Sequence, residues 1–174
     1  MKRAKDWNGD LTIFLKDYDY QPDLTRKLDA LAVTPFDQAV VNEIVLWKVN
    51  RYAPLQTDAL DALNELAQAK PKTHRQTAAQ VAQLLDQSGV DLPMASTLLR
   101  FQNPKVFQII DRHAYRAVTG DDYPLYSASG VQRKIDVYFQ YLDDLFALAD
   151  TKSVPFHELD RILYIFDKQQ NGKL

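Results

Sequence analysis

The chain has 174 residues, 46% of them hydrophobic and 25% charged, with a formal net charge of −2. That length holds one domain with a real apolar interior, its composition excludes a disordered or fibrous chain, and its slight acidity counts against a strongly basic nucleic-acid binder. Without cysteine there are no disulfides, thiolate zinc sites or cysteine-ligated iron–sulfur clusters.

The N-terminus, MKRAKDWNGD, has neither an apolar core nor a small-residue cleavage site, and no apolar run nears the ~20 residues of a membrane span. A single all-α domain over residues 1–174, cytoplasmic and without a membrane partner, is the expectation. Helical periodicity dominates throughout. DLTIFLKDYD predicts a short helix capped by Asp10, and QPDLTRKLDALAV a second one with Pro22 in its first turn and Leu24, Leu28 and Leu31 on one side. TPFDQAVVNEIVLWKVNRYA is the most apolar segment. It reads as the central buried helix, with Thr34 as cap and Pro35 at the first helical position. QTDALDALNELAQA and HRQTAAQVAQLLDQSG are amphipathic, separated at Lys70-Pro71-Lys72, the second ending at Gly89. A hairpin SGVDLP then leads into MASTLLRF, which stops before Asn103-Pro104. Beyond FQIIDRHAYRAVTG and the loop GDDYPLYSASG come two further amphipathic helices. One carries Val131, Ile135, Tyr138, Leu142, Leu145 and Ala149 as a stripe; the other starts at Pro155 and groups Leu159, Ile162, Leu163 and Phe166.

Asp111, at the end of an apolar run, is well placed to cap the helix RHAYRAVTG, where its charge suits the positive helix end. Ile110 and Tyr115 have the spacing of a hydrophobic staple. A purely structural cap satisfies these residues.

A second reading comes from the longer segment GVDLPMASTLLRFQNPKVFQIIDRHAYRAV, which resembles the helix-hairpin-helix DNA glycosylase superfamily, in the flavour of oxidised-guanine glycosylases without an iron–sulfur cluster. Gly89 and Val90 match the start of the hairpin turn, Ala95 the small residue of the next helix, and Asp111, His113 and Arg116 the Asp-x-His-x-x-Arg pattern that carries the family's catalytic Asp. The match covers about residues 80 to 120. More weakly, EIVLWKVNRY resembles the helix whose end fills the gap left by an extruded base, putting Asn50 at that place with Arg51 beside it. The resemblance implies a two-lobed helical fold. It also implies duplex DNA with a damaged or modified base as partner, a base rotated out of the stack, and a hydrolytic N-glycosylase reaction with Asp111 as catalytic carboxylate. Gly89, Val90, Asn50, Arg51, His113 and Arg116 would contact DNA, and the hairpin amides would take a phosphate.

Two departures shape that expectation. Pro93 stands where bifunctional members have a Schiff-base lysine, which leaves the monofunctional route, with an activated water as attacking group. Lys48 is a candidate displaced amine nucleophile, the alternative being a lysine snorkelling from a buried helix. Asp91 replaces the second hairpin glycine and would repel a phosphate, which favours an alternative: a catalytically inactive helix-hairpin-helix module that binds nucleic acid or protein. Arg100, Lys105, Arg112 and Arg116 are candidates for a basic rim, and Trp47, Tyr52, Phe101 and Phe107 for a base sandwich. His74 and His157 have no second ligand at helical spacing, so both are expected on the surface, with no metal and no cofactor.

Overall fold

A computed structural model describes residues 1–31, 35–49 and 55–173. The chain is all-α, with no strand among the described residues and no helix there long and apolar enough to cross a membrane. The α-helices are α1 (Pro22–Asp29), α2 (Gln38–Val49), α3 (Thr57–Glu65), α4 (Ala78–Leu85), α5 (Leu92–Gln102), α6 (Arg112–Thr119), α7 (Val131–Lys152) and α8 (Leu159–Gln170). A buried apolar cluster runs from Ala4 to Phe166 and draws on every one of them.

Local chemistry explains most boundaries. Leu11–Asp17 is a 3₁₀ helix, whose start Asp10 fixes by accepting from both the amide (2.8 Å) and the hydroxyl (2.6 Å) of Thr12. Phe14 from this turn meets Trp7 and Phe166 edge-on at 5.5 and 5.1 Å, and so seats the N-terminal segment on α8. The expected cap Thr34 lies outside the described residues. α2 starts later than its sequence predicts because Phe36 pairs its backbone with the Asn64 side chain of α3, receiving from Asn64 Nδ2 at 3.2 Å, while Asp37 accepts from the Val40 amide at 2.9 Å as the working cap. α5 is buried along almost its whole length. Its end is tied down by Asn103, whose Nδ2 donates to the carbonyls of Leu66 and Ala69, each at 3.0 Å.

His74 is not a surface residue. Its ring is 2% exposed, stacked on Phe146 at 5.8 Å and edge-on to Phe139 at 5.4 Å, because the 3₁₀ turn His74–Thr77 presses it onto α7. Burial holds its pKa below the ordinary histidine value despite Asp143 Oδ1 at 3.0 Å from Nε2. His157 is exposed, as expected.

Candidate active site

The segment Phe107–Ile110, ahead of Asp111, belongs to no helix, is buried throughout and is held from α7 and α5. Tyr138 and Tyr141 of α7, both fully buried, donate their hydroxyls to the carbonyls of Gln108 (3.0 Å) and Ile109 (2.9 Å). Ser96 Oγ on α5 accepts from the Ile110 amide at 3.2 Å, and burial pushes both tyrosine pKa values well up, keeping them donors. A rigid track therefore delivers Asp111 to the start of α6. There its Oδ1 accepts from the Ala114 amide at 2.7 Å, and its other oxygen has no hydrogen-bond partner among the described residues. One oxygen is structural; the other is free.

Asp111 is half-buried and stands between two hollows. On one side is a cavity of about 150 Å³ lined by Tyr18, Tyr20, Trp47, Lys48, Ile109, Asp160, Arg161 and Tyr164. On the other is a hollow of about 400 Å³ against the hairpin, formed with Asp91, Pro93, Arg112 and Tyr123. The cavity wall is held by an ion-pair cluster. Arg100 reaches Asp29 at 2.6 Å, the His157 carbonyl at 3.0 Å and Asp160 at 3.4 Å, and Arg161 also pairs with Asp29. Burial works to raise the Asp29 pKa, but the two guanidiniums outweigh it and hold the carboxyl below its usual range. Asp160 thus faces the cavity with cationic partners nearby, and Tyr18 is pushed up by burial and by Asp160. Among the described residues no cluster of His, Asp and Glu could hold a metal ion.

No protein-family model, curated protein or solved structure matches the chain.

The remaining residues singled out from the sequence fall into distinct places. Lys48 shares the cavity with Asp111. Asn50, Arg51 and Tyr52 lie outside the described residues. His113 and Arg116 turn away to α8: His113 Nδ1 is 2.7 Å from Asp167, and Arg116, 5% exposed, donates to the same carboxylate at 2.6–3.1 Å and to the Gly172 carbonyl at 3.1 Å. These contacts fix the orientation of α6, and with it Asp111. Gly89 takes φ +79, which suits glycine, while Val90 is buried and donates its amide to the Gln87 carbonyl at 3.1 Å.

The start of α5 offers no open amide among its first four residues. Leu92 N–H is taken by Asp91 Oδ1 (2.7 Å), Pro93 has none, and Met94 and Ala95 both donate to the Asp91 carbonyl at 2.9 Å. The Asp91 carboxylate is in turn paired with the buried Lys134 amine at 2.7 Å. Arg100 is buried in the ion-pair cluster, whereas Lys105 and Arg112 are exposed. Of the expected aromatics among the described residues, only Trp47 lines the cavity, since Phe101 and Phe107 are core. Tyr18, Tyr20 and Tyr164 were missed. Tyr18 and Tyr20 sit in DYDYQPD, a stretch without period, and Tyr164 reads as one more helical aromatic.

Proposed function

We propose that this protein is a DNA glycosylase-like enzyme that takes a damaged or modified base out of the duplex and hydrolyses its glycosidic bond, with a two-lobed arrangement about the Asp111 cavity. What carries the reading is the division of labour at Asp111: one oxygen caps α6, the other has no hydrogen-bond partner among the described residues, and the residue lines a cavity together with Tyr18, Tyr20 and Trp47. As the bond from sugar C1′ to the base breaks, its electron pair leaves with the base nitrogen and positive charge develops on the sugar. A carboxylate already fixed by its helix stabilises that charge without reorganising, and takes a proton from the attacking water. Aromatic edges around the cavity suit a flat heterocycle removed from its stack. Duplexes carrying oxidised, alkylated or deaminated bases, treated with alkali after incubation, test the reading: strand breaks are expected for one base class, and their absence for all of them contradicts it.

A second reading, a non-catalytic binding module on the same scaffold, is favoured by the α5 start, where Asp91, Pro93 and Lys134 leave no amide for a phosphate. It predicts salt-dependent binding to an abasic-site duplex without turnover.

A further inference from the structure

We propose that a hollow at the end of α7, apart from Asp111, binds a nucleotide, with the base stacked on Phe156 and the phosphate met by Lys72, Lys105 and Ser153. The hollow measures about 570 Å³, in the range of small-molecule sites, and shares no lining residue with either hollow at Asp111. Its occupation is independent of the chemistry there. The floor is aromatic. Phe146 of α7 lies face to face with Phe156 of the 3₁₀ turn Phe156–Glu158, the ring centroids 4.0 Å apart and the planes 5° from parallel, and also stacks at 5.8 Å on the buried His74 ring. Phe156 is half-buried, so this series of near-parallel rings ends on a side chain still partly open to the hollow. A flat heterocycle extends such a stack, whatever the base.

The rim is cationic. Lys72, Lys105 and His157 line it, and the one acid among its described lining residues, Asp150, is already paired with Lys72 at 2.8 Å. Lys105 is exposed, and its Nζ has neither an ion-pair nor a hydrogen-bond partner among the described residues. Backbone strain gathers at the same place. Among the described residues only Gln21, Lys72 and Ser153 have positive φ without being glycine, and the last two, at φ 66 and 53, both line this hollow. The turn at Lys72 is closed by the Thr73 hydroxyl, which donates to the Lys70 carbonyl at 2.8 Å, and it carries the ammonium to 6.0 Å from the Phe146 ring centre. Ser153 ends α7 with a hydroxyl that has no partner among the described residues. From the far side, Arg100 holds the His157 carbonyl at 3.0 Å and so fixes the turn that bears Phe156. Two ammonium groups and a hydroxyl, with no free carboxylate to oppose them, suit a phosphate monoester beside the stacked ring. A free nucleotide and the phosphorylated end of a strand share this chemistry.

Adenosine 5′-monophosphate titrated into the full chain and followed by NMR should bind with a Kd of about 1 mM or tighter. Adenosine and inorganic phosphate, each lacking one half of the ligand, should bind at least about tenfold more weakly. Lys105→Glu, at an exposed position, should weaken binding of the nucleotide about tenfold, and so should Phe156→Leu, whose fold thermal melting checks. A 5′-phosphorylated single strand that binds about tenfold tighter than the mononucleotide identifies a strand end as the source; an equal or weaker affinity identifies the free nucleotide. No binding of adenosine 5′-monophosphate at millimolar concentration, equal binding of adenosine or of phosphate, or wild-type affinity in either folded variant overturns the proposal.

Discussion

Asp111 has two jobs that substitution can separate. Asparagine caps a helix about as well as aspartate, so Asp111→Asn should leave chemical unfolding within about 0.5 kcal/mol of wild type, whereas Asp111→Ala, losing the 2.7 Å bond from Ala114, should cost about 1 kcal/mol. Equal losses of stability in the two variants would mean that the carboxylate is engaged elsewhere. Asp167 is the opposite kind of acid. It is 0% exposed, and though burial works to raise its pKa, hydrogen bonds from Arg116, Asn171 and His113 outweigh that and hold it low. Asp167→Ala strands a buried guanidinium and should cost about 3–5 kcal/mol by denaturant unfolding. A loss under 1 kcal/mol, on the order of an exposed pair, would show the cluster to be solvated. The Asp-x-His-x-x-Arg spacing was legible from the sequence, but where its side chains point was not: their partner stands 51 residues beyond Arg116, on another helix.

At the scale of elements, sequence periodicity located every α-helix except at its ends, where tertiary partners decide. α2 begins at Gln38 rather than near Pro35 because Asn64 claims the Phe36 backbone, a long-range bond that no local pattern encodes. The first expected helix tightened to 3₁₀ under its Asp10 cap. The hairpin was legible as a turn, but the partner of its Asp91 carboxylate was not, since Lys134 stands far along the chain on α7. Two glycines with positive φ allow an internal comparison. At Gly120 (φ +83), which closes α6, an added methyl would lie 2.7 Å from Arg3 Cδ; at Gly89 (φ +79) it would meet nothing within 4 Å. Both alanine variants bear the backbone penalty of about 1–2 kcal/mol, and Gly120→Ala should melt lower than Gly89→Ala. The reverse order would place Arg3 away from the end of α6.

For the whole molecule, the depressed carboxyls of Asp29 and Asp167 set the acid limit of the fold. Each binds its proton less readily folded than unfolded, so each contributes stability that is full above the unfolded carboxylate value of about 4 and is lost as pH falls through the lower folded value. Unfolding free energy should therefore drop steeply below about pH 4, and less steeply in Asp167→Asn. A pH profile unchanged by that substitution would exclude Asp167 as a source. His74, held low by burial, adds a smaller loss over the range where an unfolded histidine takes up a proton.

The all-α class and the position of Asp111 at a helix start were legible because both depend on local pattern. The cavity was not, since its wall is assembled from the start of the chain, α2 and α8. Its central property, an acid with one oxygen bound and one free, is tested most directly by comparing base release from damaged duplexes by wild-type protein and by Asp111→Asn. Release by the wild type, with a loss of about 100-fold or more in the folded variant, is the predicted result. Equal release by both would contradict it.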